Sequence, residues 1–216
     1  MRPRFVVVLL LAAALLGAAV PRPYTEVVST ETLDFAPGGS LHIDNSTGQL
    51  NIEGWDKPQV EIVVTRVLYP LNDTPAARDA ATRELNDLHI APARSGDRQI
   101  TIATPSQRRL SKVELEYRIR VPRATALTIR HNKGDVRITS IDGDTDAAVR
   151  YGDIVLRLPA ASYVFDAGSR EGGVVSDFAG AHKGWRLIGE KFTAGATGHR
   201  YRLHATIGAI QIQQLP

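Results

Sequence analysis

The 216-residue chain has no cysteine, one methionine at its start, and only 6% aromatic residues. Without cysteine there is no disulfide framework, thiolate metal site, cysteine nucleophile or lipid-anchored bacterial N-terminus. An excess of charge is missing too. Two of the 26 basic residues, Arg2 and Arg4, sit in an apolar leader, which leaves 24 against 23 acidic residues. Near-neutrality gives no footprint for nucleic acid. The densest basic cluster, Arg108, Arg109 and Lys112, has no interleaved aromatic on which bases would stack. No GxSxG elbow, HExxH run or His-x3-His pair occurs. The 43% hydrophobic and 23% charged content is that of a folded chain, and the length suits one globular domain.

One long apolar run is present, from Phe5 to Val20, preceded by Arg2 and Arg4 and containing the small residues Gly17, Ala18 and Ala19. That is the tripartite form of a secretory signal, so residues 1–19 are expected to be cleaved after Ala19 and residues 20–216 to form the exported domain. The alternative is a retained anchor, for which this run falls short of the roughly 20 apolar residues that span a bilayer. The expected location is the periplasm or the cell surface, with a soluble mature form.

What fills the rest of the chain is a repeat. Leu41-x-Ile43, four residues, then Gly48-x-Leu50-x-Ile52 recurs as Leu127-x-Ile129 with Gly134-x-Val136-x-Ile138, and again as Tyr201-x-Leu203 with Gly208-x-Ile210-x-Ile212. Weaker copies run Thr145, Ala147, Gly152, Ile154, Leu156 and Phe165, Ala167, Gly172, Val174, Ser176. A further one, Trp185, Leu187, Phe192, Ala194, lacks the glycine. Alternation of period two marks half-buried strands, and the glycine permits a corner between them. Two-strand units that cannot bury their apolar faces alone predict a mostly β fold, a β-solenoid or β-helix-like stack of successive rungs. A β-sandwich is the alternative, since it also has short strands and frequent turns.

Residues 56–122 break the pattern as an insert. Val60, Ile62, Val64 and Val67 mark a strand whose alternation lapses near Arg66. Thr74-Pro75 opens an amphipathic helix over about 75–88, with Ala77, Ala80, Ala81, Leu85 and Leu88 at helical spacing and Thr74 as its N-cap. Val113, Leu115, Tyr117, Ile119 and Val121 alternate with Glu114, Glu116, Arg118 and Arg120, the clearest strand in the chain.

The leader, the early repeat ending in Gly54-Trp55-Asp56, the helix-containing insert, the strand ending in Val121-Pro122 and the Leu127 to Ile138 repeat together resemble the DUF4097 family over roughly residues 35–215. Its members are bacterial β-strand-repeat proteins labelled "putative adhesins". The resemblance implies a β-solenoid-like fold outside the cytoplasm and supplies no activity, ligand or catalytic residue. The chain departs from the pattern where the glycine is missing near Phe192.

Candidate sites reduce to bland chemistry. Asp142, Asp144 and Asp146 imitate the start of a calcium loop, but Ala147 stands where glycine is required and Asp153 where the final glutamate should be. Asp135 and Asp153 follow rung glycines and read as turn caps. His199 and His204, among six histidines (His42, His89 and His131, His182 besides), fall on opposite strand faces and cannot share a metal. Glu114 and Glu116 lie on one strand face like a glycosidase pair, but Arg118 and Arg120 continue that face, which reads as salt-bridged. Trp55, Trp185, Tyr24, Tyr69, Tyr151 and Tyr201 offer stacking surface for sugars, with core packing favoured for the tryptophans. No catalytic, metal or cofactor-binding residue is assigned.

The leading expectation is a non-enzymatic, adhesin-like or envelope-binding module that acts through outward residues such as Arg130, Asp135, Arg137, Arg150, Asp153 and Arg157. The expected partner is a cell-surface glycan or envelope component. A carbohydrate-active enzyme on the same scaffold and a structural or stress-associated envelope protein are the alternatives. An uncovered final strand near Ile212 would promote weak self-association.

Overall fold

A computed structural model describes residues 23–70, 72–88, 90–104, 112–185 and 189–216. The predicted leader, His89, Arg108, Arg109, Leu187 and the side chain of Trp185 lie outside the described residues. No helix in this set is long and apolar enough to cross a membrane.

Five of the repeats fold as pairs of strands joined at a glycine. They are β2 (Ser40–Thr47) with β3 (Gln49–Trp55), β8 (Ala126–Lys133) with β9 (Val136–Thr139), and β10 (Thr145–Tyr151) with β11 (Ile154–Leu158). The others are β12 (Tyr163–Glu171) with β13 (Val174–Ser176), and β16 (His199–Ile207) with β17 (Ile210–Gln214). The first strand of every pair enters a nine-stranded sheet and the second an eight-stranded sheet. Inward side chains from both sheets, among them Leu41, Leu50, Leu127, Val136, Ile154, Leu203 and Ile210, form one contiguous core. Burying each large aliphatic contributes about 1.5–3 kcal/mol, which no single pair could gain alone.

Glycine at the corner follows from stacking. Gly134 and Gly152 have φ of 117° and 141°, a region that L side chains avoid. A methyl group at Gly152 would collide with the carbonyl oxygen of Gly134, and one at Gly134 with that of Gly48. Gly48, Gly134, Gly152 and Gly208 donate their N–H groups to the carbonyls of Lys133, Tyr151, Ile207 and Glu171 at 2.8–2.9 Å, so the corners themselves form a hydrogen-bonded column.

That column corrects the expected order of rungs. The last repeat, β16/β17, inserts between β10/β11 and β12/β13, with Tyr201 in register with both Thr145 and Phe165. Spatial order therefore departs from chain order. The strand at Ile212 is not an edge: β17 lies between β11 and β13, so the expected self-association through it loses its structural basis. The weak copy near Trp185 is no rung either. β14 (Ala181–Trp185) and β15 (Gly189–Ala194) form an antiparallel hairpin that extends the nine-stranded sheet beyond β12.

The insert conceals a sixth rung. β6 (Gln99–Ala103) pairs in parallel with β2, and β7 (Val113–Pro122) in parallel with β3, although they share no tight glycine corner. Leu115 takes the stacking place opposite Gly48. Beyond this rung the sheets turn antiparallel: β4 (Gln59–Leu68) joins β7, β1 (Thr25–Asp34) joins β4, and β5 (Pro92–Ser95) joins β6. The sheets are thus mixed and not closed, and the mostly β architecture is compatible with a sandwich-like fold.

Helix α1 (Pro75–Asp87) lies on β1 and β4. Thr74 Oγ1 accepts a hydrogen bond from the Ala77 N–H at 3.2 Å, and Pro75 occupies the first turn. Ala81 and Leu85 are buried with Leu68, whereas Ala80 is exposed. β4 keeps its alternation throughout, with Arg66 in an inward place. At 5% exposure, Arg66 spends a guanidinium N–H on the Leu88 carbonyl, 2.8 Å away, just past the end of the helix. A buried cation is tolerated where it satisfies an orphan helix carbonyl.

Candidate functional site

The two outer faces differ in how their charges are used. On the eight-stranded sheet the cations are committed: Arg118 to Glu116 at 2.9 Å, Arg120 to Glu61 at 3.3 Å and Glu53 at 3.5 Å, and Arg137 to Asp135 at 3.7 Å. Arg157 donates to Gln213 at 2.8 Å. Glu114 accepts from the Tyr69 hydroxyl at 3.4 Å, and this carboxylate raises the tyrosine pKa. The glycosidase-like pair Glu114 and Glu116 is therefore part of a solvated ladder.

The nine-stranded sheet carries the alternative. Its parallel register lines up Gly168, His204, Ala148, Arg130 and Asp44 in one outward row, with Lys191 and Lys183 continuing it across the hairpin. Small residues at Gly168 and Ala148 leave two shallow depressions on either side of His204. The first is walled by Lys183, Lys191, Arg170, Arg202, Asp146 and Asp166. The second is walled by Arg130, Arg150, Arg170, Tyr151, Thr206 and Ile207.

Only some of these charges are paired. Lys191 holds Asp166 at 2.9 Å and Arg130 holds Asp146 at 2.8 Å. Arg150, Arg170, Arg202 and Lys183 make no ion pair among the described residues. Lys183 and Lys191 stand directly opposite one another, an arrangement that costs stability in an antiparallel pair. Glu190 turns away from the face, accepting from the Val174 N–H at 3.0 Å and lying 3.0 Å from His182 Nδ1. Glu171 borders the second depression at its corner end. The Arg150 guanidinium lies 5.1 Å from the centroid of the exposed Tyr151 ring. This face can hold an extended ligand with anionic groups, because Arg150, Arg170, Arg202 and Lys183 are solvent-exposed and have no ion-pair partner among the described residues.

The residues singled out from sequence scatter accordingly. Arg130 and Arg150 belong to this face, while Arg137 and Arg157 lie on the opposite sheet. Asp135 and Asp153 are structural: each accepts a backbone N–H from the neighbouring rung, Asp153 at 3.1 Å and Ala209 at 2.7 Å respectively. Asp144 accepts from the Arg200 N–H at 2.9 Å and Asp146 is taken by Arg130, so the calcium-like triplet does not converge. No group of three metal-ligating side chains converges among the described residues. Tyr201 is core, its hydroxyl donating to the Ile141 carbonyl at 2.6 Å, and burial raises its pKa. Trp55 donates to the Gln59 carbonyl at 2.7 Å, and Tyr24 and Tyr69 are exposed at the other end of the molecule.

Sequence reasoning missed Arg170, Arg202, Lys183 and Lys191, and weighed His204 only as a metal ligand. It also missed a buried pair: Ser46 Oγ and His131 Nδ1 share a hydrogen bond of 2.7 Å behind the glycine corner. Desolvation lowers the His131 pKa. Both side chains are buried, and the pair serves the packing of the corner.

No family model matches the chain, so none supports the DUF4097 resemblance, and no curated protein matches it. A solved structure described as a "putative cell adhesion protein", from Clostridium sporogenes ATCC 15579, is similar at 14% identity with a TM-score of 0.49, covering 88% of this chain and all of that one. A likeness at that level transfers no property to this chain.

Proposed function

We propose that this chain is an exported, non-enzymatic binding module, adhesin-like or envelope-associated, which engages an extended glycan through the outer face of its nine-stranded sheet. One observation carries the reading: on that face Arg150, Arg170, Arg202 and Lys183, which make no ion pair among the described residues, surround two depressions opened by Gly168 and Ala148, whereas on the opposite face Arg118, Arg120 and Arg137 hold carboxylates and Arg157 is engaged by Gln213. Parallel strand pairing supports this role, because parallel strands at about 4.8 Å spacing repeat side chains at regular intervals along the ligand. Export rests on the leader, and the mature N-terminus is expected at Val20.

The test is saturable binding of the exported chain to a panel of immobilised cell-wall polysaccharides. Charge reversal at Arg170 and Arg202 together is expected to abolish retention, while Arg157→Glu on the other sheet leaves it intact. Retention indifferent to the Arg170/Arg202 pair, or lost equally with Arg157→Glu, would remove this face as the binding surface.

A further inference from the structure

Resting on that reading, we infer that the second depression is a subsite for a carboxylated sugar, a uronic-acid unit of an acidic polysaccharide. Arg150 and Arg170 project from β10 and β12 with β16 and its Thr206 between them, so their backbones are about two strand spacings apart, roughly 10 Å, and both side chains border the same depression. Neither has a carboxylate partner among the described residues. Planar guanidinium groups bind carboxylates through two parallel hydrogen bonds, and a chain bearing a carboxylate on successive sugars can meet both.

The surroundings select a sugar over other polyanions. Tyr151 and Ile207 are 42% and 41% exposed, unusually open for their size, and they face each other in register at the corner end of the depression. An aromatic ring and an aliphatic side chain side by side offer an apolar shelf for the C–H face of a pyranose. Thr206 and His204 supply groups that hydrogen-bond hydroxyls. Further along the face, Asp146 and Asp166 interrupt the cations. A phosphodiester chain without backbone donors meets these carboxylates with repulsion alone. A polysaccharide instead presents hydroxyl donors to them. An anionic membrane would meet the same carboxylates and only one small apolar shelf.

Isothermal titration of the exported chain with oligogalacturonic acid tests the assignment. The expected result is saturable binding that weakens about tenfold or more in Arg150→Gln and in Arg170→Gln, the scale of one lost charge-assisted hydrogen bond. Tyr151→Ala is expected to weaken it as well, and the methyl ester of the same oligomer to bind no better than those variants. Arg157→Gln should bind as wild type. All four side chains are exposed, and circular dichroism confirms that each variant folds. If the methyl ester or a neutral oligosaccharide binds as well as the acid and still depends on this face, carboxylate recognition is wrong while the glycan-binding reading survives. If dextran sulfate binds equally well and Tyr151→Ala has no effect, the face is a general anion surface and the sugar subsite falls. Binding of no saccharide removes both.

Discussion

Replacing Gly152 by alanine tests whether the glycine column specifies the stack. Its φ of 141° is closed to L side chains, at a cost of about 1–2 kcal/mol. The added methyl would also collide with the Gly134 carbonyl oxygen, which is backbone and cannot swing away. Relief requires the rungs to part where Gly152 donates to Ile207 and Gly134 to Tyr151, both at 2.9 Å. Overpacking of this kind costs about 1–3 kcal/mol. Alanine also removes freedom from the unfolded chain, which offsets about 0.4–1 kcal/mol. The net loss is about 1–4.5 kcal/mol, a large share of the roughly 5–15 kcal/mol that holds a domain together. Urea unfolding followed by circular dichroism should show the midpoint fall by about 0.5–2 M at unchanged slope. Two controls isolate the cause. Gly38 has φ of 75° with open space around it, so Gly38→Ala should lose only the conformational part. Gly168 lies in an ordinary strand conformation, where alanine should be neutral or slightly stabilising. If Gly152→Ala costs no more than Gly38→Ala, contact between stacked corners is not what requires glycine.

Further expectations concern the buried polar groups and the helix. His131 has its pKa lowered by burial, so the unfolded chain takes up the proton first. Stability should therefore be full above about pH 6.5 and decline as pH falls below it, until the folded protein also protonates. Denaturation measured at a series of pH values should show this slope, and His131→Gln should flatten it; an unchanged slope would place its origin elsewhere. Arg66→Ala should destabilise by about 2–4 kcal/mol, since it opens a cavity and orphans the Leu88 carbonyl, whereas Arg66→Met should recover part of the loss by refilling the volume. Equal losses in calorimetry would show that the hydrogen bond, not packing, dominates. Thr74→Ala should cost about 1 kcal/mol through loss of the cap on Ala77, with greater helix fraying seen by hydrogen exchange in residues 75–79.

Strand identity was legible from sequence because it is local. Alternation around Gly134, Gly152 and Gly208 reflects which side chains a half-buried strand must turn inward, and Thr74-Pro75 satisfies helix-start donors within a few residues. Gly168, His204, Ala148 and Arg130 each stand four residues before a corner glycine, and the register places them in one outward row. Arg66 misled because an inward arginine looks like a break in alternation until the helix carbonyl that receives it is known. The sixth rung was hidden because Ile100-x-Ile102 and Tyr117-x-Ile119 are separated by a longer connection without a tight glycine corner.

By itself, then, the sequence determined the β-rich character, the two-strand unit, the inserted helix and the need for glycine at a bend. Tertiary structure alone decided that the last repeat slides between the third and fourth, and that the strand at Ile212 is covered on both sides. It also decided that Arg150, Arg170, Arg202 and Lys183 gather on one face without ion-pair partners among the described residues. Each repeat carries nearly the same alternating pattern, so local preferences cannot rank one neighbour above another. That choice is made by contacts between distant rungs, which bring together Arg150 and Arg170 with Tyr151 and Ile207 on one face.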